Sequence, residues 1–411
     1  MYGRWVRRAL AGVLLTLFAS VPVGAQDTDE QTHDMSHMDM SNPAWTFMQD
    51  GSFNAVFNHQ GSPRGGNELT GVNWWMGMLS RAAGNGQLTL TGMFSLEPAT
   101  VGTRGYREIF QSGEALDGRP NVDRQHPHDA FMQVSAAWGT SLSESTSLNI
   151  AAAPVGEPAL GPAAFMHRAS AAAIIFAPLG HHTFDATHVS FGVVTAGVAR
   201  KRWSVEGSVF NGREPDQHRW DFDLARPNSL SARVWFRPTD EWAIQASSGH
   251  LVQPEQLEHG NVIRTTASVS WTRIRTTGMS AMTVGYGRND QAGQQAAFGE
   301  FTRQFGSYIV SSRAEFVQIE NELLLDDTVP ASASLHADHL DQLGAFTVGA
   351  IRRVGRWRGF ETGLGVNAST YAVPNALRTT YGAHPLSLQL FVQVRPRIGP
   401  IGPMWNMRMG E

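Results

Sequence analysis

Leu386-Ser387-Leu388-Gln389-Leu390-Phe391-Val392-Gln393-Val394-Arg395 is the stretch that decides the reading. Leu386, Leu388, Leu390, Val392 and Val394 fall on one face, Ser387, Gln389, Gln393 and Arg395 on the other, with Phe391 the one apolar intruder. Strict alternation with period two is a strand with one apolar and one polar face. In a soluble sandwich the apolar face would meet a second sheet. In a bilayer it would meet lipid while the polar face lines a lumen, and about ten residues suffice for a tilted strand to cross.

The rest of the chain favours the barrel. Alternating segments follow one another from Phe53, with the Gly84-Asn85-Gly86 hairpin signal between the second and third. Further strands read at 130–139, 147–154, 189–198, 203–211, 230–236, 242–251, 262–274, 279–287, 297–305, 308–318, 342–352 and 360–371. Together they give about sixteen strands, with fourteen to eighteen as the range. The connections alternate: 82–86, 142–145, 200–202, 238–241, 276–278 and 306–307 are short, whereas 98–129, 155–188, 212–229 and 319–341 are long. Short periplasmic turns and long extracellular loops are the two rims of an outer-membrane barrel, and this count leaves both chain ends on the periplasmic side. The fold class is therefore all-β, an antiparallel transmembrane β-barrel.

The chain opens with an export signal. Arg4, Arg7 and Arg8 precede an apolar run from Ala9 to Val21, and Val23-Gly24-Ala25 offers small residues for cleavage. The expected division is a signal peptide at 1–25, a His/Met-rich leader at 26–50, the barrel at 51–395 and a tail at 396–411. Without the signal arginines, 29 cationic side chains face 36 acidic ones, so the formal charge falls from −4 to −7, which gives no reason to expect nucleic acid. The absence of cysteine excludes disulfides and thiolate metal sites. Forty-two glycines and twelve tryptophans suit a barrel with many turns and aromatic girdles.

Two regions are rich in metal-ligating residue types. The leader packs His33, Met35, His37, Met38 and Met40 into eight residues, and thioether with imidazole suits copper, the cuprous ion above all. A leader with chance methionines is the alternative. The other thirteen histidines all fall in long loops or beside them. His126 and His128 flank Pro127 between Asp123 and Asp129, and His181, His182 and His188 crowd a second loop. Imidazole with carboxylate suits zinc, cupric copper or nickel. The same residue types also build hydrogen-bonded networks that stiffen loops, and sequence does not separate the two. Arg124, Asp129, Arg213, Asp216, His218, Arg219 and Asp221 are expected to line the lumen or its constriction. The alanines at 169–173 suggest a short helix folded into the lumen.

No phosphate loop, dinucleotide fingerprint or nucleophile elbow is present, and no enzyme activity is expected. Ser190 with His188 and Ser248 with His250 share strand faces, and Ser36 lies beside His37, so a lipid-modifying enzyme stays as an alternative. A cleaved signal, the His33–Met40 leader and a barrel together resemble the copper-resistance outer-membrane proteins of Gram-negative bacteria. The resemblance implies metal handling, with a leader that gathers copper at the periplasmic side. The expectation is a monomeric outer-membrane channel or export protein for a small polar solute, a copper ion by best guess, with a nonspecific or organic-solute porin as the other channel reading. Outer-membrane lipid, the solute or metal ion, and a periplasmic metal carrier are the expected partners. No cofactor is required, although copper or zinc can bind.

Overall fold

The computed structural model describes residues 45–396 except 112–113, 257–259 and 326–339. Sixteen strands pair in chain order and close into one antiparallel barrel. They are β1 (Thr46–Gly61), β2 (Gly66–Ala83), β3 (Gly86–Phe94), β4 (Phe131–Ser143), β5 (Thr146–Gly156), β6 (Ser190–Arg200), β7 (Trp203–Asn211) and β8 (Ser229–Thr239). β9 (Trp242–Val252), β10 (Asn261–Arg275), β11 (Gly278–Asn289), β12 (Gln295–Phe305), β13 (Tyr308–Glu320), β14 (Leu340–Trp357), β15 (Phe360–Ala372) and β16 (Leu386–Pro396) complete it. β1 closes on β16 through Phe53–Gly61 and Leu386–Val394. The first strand begins at Thr46, inside the stretch read as leader, and so extends seven residues before Phe53.

Seven connections at one rim are two residues each, such as 84–85, 201–202 and 358–359. The opposite rim carries the loops at 95–130, 157–189, 212–228, 253–260, 321–339 and 373–385, with shorter links at 62–65 and 290–294. Thr46 and Pro396 both lie at the short-turn rim, paired near the turns at 84–85 and 358–359.

The alternation in β16 is realised as two faces. Leu390 and Val392 are each 47% exposed on the outside, whereas Ser387 and Gln389 are 0% and 3% exposed inside. The outward residues form a lipid-facing surface, because apolar side chains ring the barrel on every strand pair. Aromatics gather beside the short turns: Trp203 stacks on Phe236 at 4.3 Å, Phe305 on Tyr308 at 5.8 Å, and Trp357 is exposed. That is the interfacial girdle of an outer-membrane barrel.

The interior is filled. Two long loops, 95–130 and 157–189, fold into it, and apolar residues on the inner face are their docking points. Phe391, Val56, Val72, Ile309 and Ile351 gather around Tyr106 and Phe176 of the two loops, whose rings lie 4.3 Å apart. The intruder Phe391 therefore serves the loops, and burying such a ring contributes roughly 1.5–3 kcal/mol. Gly365 makes room for it, since a Cβ there would stand 2.1 Å from the Phe391 ring. The alanine-rich stretch forms the 3-10 turn Ala169–Ala171 against β11, β12 and β13, a tighter and shorter element than the expected helix.

Polar bonds fix the 157–189 loop to the wall on several sides. The backbone N–H groups of Ala159, Gly161 and Ala173 donate to the hydroxyls of Ser208, Ser247 and Ser311 at 2.7, 2.9 and 3.0 Å. Asn367 donates to the Ala173 carbonyl at 2.6 Å. At the centre Arg168 reaches both oxygens of Glu300 at 2.9 Å, and Arg313 donates to the same carboxylate at 2.9 Å. Inner-face serines and an asparagine thus satisfy a loop backbone that would otherwise be buried without partners.

Candidate functional site: a histidine–carboxylate bundle

Three loops meet under the long-loop rim. The 95–130 loop supplies Glu97, Glu114, His126, His128 and Asp129; 157–189 supplies His181, His182, Asp185 and His188; 212–228 supplies Glu214 and Arg219. The five histidines single out their neighbours in a chain of contacts. Ring centroids lie 5.4 Å apart for His128 and His188, 5.2 Å for His181 and His188, 5.4 Å for His181 and His182, and 6.0 Å for His126 and His181.

Local structure sets the ring orientations. One helical turn, His181–Phe184, puts His181 and Asp185 four residues apart on one face, with Nδ1 2.7 Å from Oδ1. The Asp185 backbone carbonyl accepts from His188 Nδ1 at 2.7 Å. His128 Nδ1 lies 2.9 Å from Glu97 Oε2, and Glu97 also accepts from the backbone N–H groups of His128 and Asn73 at 2.9 and 3.1 Å. A carbonyl only accepts, so His188 carries its proton on Nδ1 and keeps a lone pair on Nε2. That Nε2 is buried and has no hydrogen-bond partner. Fixing Nδ1 by an oxygen and leaving Nε2 bare is the arrangement that orients imidazole as a metal ligand.

Burial and neighbouring charge set the protonation states. Burial, reinforced by the other imidazoles, pulls His188 down to about 3, and burial with the Arg219 charge holds His126 well below the ordinary histidine range. His181 is also lowered by burial, against the pull of Asp185. His182 goes the other way: burial opposes its charge, but Glu214 and Glu255 outweigh it and raise it well above the usual value. Burial pushes Asp129 up to about 7 despite Arg219, and raises Glu114 for the same reason. Arg219 is buried and ion-paired to Glu114, with Asp129 3.8 Å away. The bundle therefore mixes neutral imidazoles, one imidazolium and carboxyls near their titration point.

A cavity of about 10 Å³ lies among Glu114, His126, His128, Asp129, His188, Glu214 and Arg219, enough for one water or ion. Glu114 Oε1, Asp129 Oδ2 and His188 Nε2 are buried without hydrogen-bond partners.

The structure brings His126, His128, His181, His182, His188, Asp129 and Arg219 together. Arg124 sits apart, donating to the Gly105 carbonyl at 2.6 Å and standing 3.7 Å from Glu68. Arg213, His218 and Asp221 are exposed, and Asp216 lies 3.2 Å from His218 while its charge acts on Asp129 of the bundle. Charged loop residues carry no periodicity that would tell inward from outward. His33, Met35, His37, Met38 and Met40 lie outside the described residues. Glu97, Glu114 and Glu255 escaped the sequence reading, because each reaches its histidine from a distant or different stretch of chain. Ser190 donates to the Thr187 carbonyl at 3.0 Å, and Ser248 meets Thr265 at 3.2 Å on the exposed outer face, while Ser36 and His37 lie outside the described residues.

No family model matches the sequence, and no curated protein does either. Among solved structures the chain is similar to OprB of Pseudomonas putida, with a TM-score of 0.52 and 9% identity over 86% of this chain and 94% of that one. The anion-selective porin of Comamonas acidovorans gives a TM-score of 0.49 and 8% identity, over 86% of this chain and all of that one. The likeness is one of fold: a sixteen-stranded outer-membrane barrel.

Proposed function

We propose that the protein is an outer-membrane channel for a small polar solute, closed in the described conformation by the loops 95–130 and 157–189. The observation that carries this reading is a lumen whose polar wall is built to receive a loop: Ser208, Ser247, Ser311 and Asn367 all bond the backbone of one inserted segment. A closed barrel with a polar inner face has passage as its simplest use. A plain solute porin fits this as well as a selective one does.

The finer reading is that the solute is a transition-metal cation, copper by best guess. Its support is the leader from His33 to Met40 and the buried imidazole bundle, in which His188 Nε2 has no hydrogen-bond partner. In this reading the leader exchanges copper with a periplasmic carrier and the bundle selects the ion. We propose no catalytic role for any residue. Flux into vesicles tests both levels. Sugars and amino acids should enter faster when residues 164–176 are replaced by a short Gly/Ser link; copper entry that stops in His128→Asn/His188→Asn, while sugar flux is unchanged, would favour the metal reading. Equal slow flux of all solutes in both proteins, with the barrel folded, would contradict the channel reading.

A further inference from the structure

One group in the bundle is set apart by geometry. The ligand atoms of His182, Glu214 and Glu255 all lie within 4.8 Å of one another. His182 Nδ1 is 3.3 Å from Glu214 Oε1 and 3.4 Å from Glu255 Oε1, and the three side chains are only 10–14% exposed. They come from three loops, 157–189, 212–228 and 253–260. The two carboxylates are held together by the backbone and not only by each other, because the Glu214 N–H donates to the carbonyl of Pro254, the residue before Glu255, at 3.0 Å.

We propose that His182, Glu214 and Glu255 form a binding site for one divalent transition cation of the zinc class, which ties the three loops together at the mouth of the barrel. One imidazole with two carboxylates is a zinc ligand set, and the nitrogen donor disfavours calcium and magnesium. Two buried carboxylates this close repel unless a proton or a cation lies between them. A divalent ion held by these carboxylates and a neutral imidazole gives a group with no net charge. Arg264 and Arg219 act on Glu214 electrostatically and would lower the affinity for a cation.

Glu214 also lines the adjacent one-water cavity, whose walls include His188 and Asp129 but not His182 or Glu255. A water completes four-coordination at the three-residue set. The inference goes beyond passage through the lumen and does not depend on it, since a loop-tying ion can sit in an open or a closed barrel.

The experiment is zinc chloride titration of the metal-stripped mature protein, folded in detergent, by calorimetry and by equilibrium dialysis. Folding of each variant is checked by its heat-dependent shift on gels. Wild type should hold one zinc equivalent that Glu214→Gln/Glu255→Gln loses, with binding weakened by more than the ~10–100-fold that removal of an outer-shell partner costs. His128→Asn/His188→Asn should retain that equivalent, as should a protein with all five leader ligands replaced by Ser. Glu255→Gln alone gives the same reading if the double variant does not fold. Undiminished zinc in the folded Glu-to-Gln variants, or loss only in the His128/His188 variant or the leader variant, would overturn the assignment.

Discussion

Arg168 and Glu300 form a two-pronged ion pair inside the barrel: Nε and Nη2 of Arg168 each lie 2.9 Å from one oxygen of Glu300. The arginine belongs to the inserted loop and the glutamate to β12, so the pair joins plug to wall. Asp185 and Arg313 extend it, at 3.0 Å from Arg168 and 2.9 Å from Glu300. The Arg168 guanidinium also stacks 4.5 Å over Phe298.

Removing one partner of such a buried pair strands the other. Arg168→Ala should lower the stability of the docked loop by about 3–5 kcal/mol, because Glu300 and Asp185 lose their shared cation. Denaturant unfolding in vesicles should show a lower midpoint for the loop, and limited proteolysis should cut within 157–189. Arg168→Lys should recover only part of the loss, since an ammonium does not span both oxygens.

The outer face makes a separate prediction. Leu390 points to lipid, in register with Phe57 and Val366 on the adjacent strands. Leu390→Arg should cost roughly 2–4 kcal/mol if the residue lies near the bilayer midplane. Gln389→Leu, one position away on the filled inner face, removes side-chain bonding to Asn58 and should loosen the seam between β1 and β16 without altering lipid contact. Barrel-assembly yield into lipid vesicles separates the two.

The metal-free bundle should soften in acid. Burial holds His188 at about 3 and His167 at about 4, below the ordinary 6.5 of histidine. The unfolded loops therefore take up protons that the folded ones do not, and stability falls as pH drops from neutrality toward those values. Asp129, raised by burial to about 7, acts in the opposite sense: its neutral form is favoured in the fold, and the stability this gives is lost as pH rises from the ordinary carboxyl value of 3.8 through about 7. His182, raised by Glu214 and Glu255, adds stability that lasts until pH passes its own raised value. Hydrogen exchange of the three loops should be slowest at about pH 6–7 and faster on both sides. A rate that falls steadily with acidity after correction for intrinsic exchange would contradict these protonation states.

Much of the architecture was legible because a barrel strand declares itself locally. Residues 386–395 carry their two environments in alternate positions, and the same rule found all sixteen strands. Phe391 broke the rule for a reason lying outside its strand, in the ring of Phe176 far along the chain, so its meaning was hidden. The bundle was half legible. His126, His128, His181, His182 and His188 stand in dense local clusters, whereas Glu114 and Glu255 have no neighbours in sequence that mark them. Arg213 and His218 looked equivalent to Arg219, yet only Arg219 is buried; loop charges have no period from which inside and outside can be read.

The central claim is that loop 157–189 closes the lumen and must leave its seat for a solute to pass. The absence of native cysteine allows a clean tether between Ser170, whose hydroxyl lies 2.8 Å from that of Thr283, and the β11 wall. Single-channel conductance of Ser170→Cys/Thr283→Cys in planar bilayers should show openings when reduced, none when oxidised, and openings again on re-reduction. Identical conductance in the oxidised and reduced states, with the cross-link verified, would show that solute does not pass by displacement of this loop.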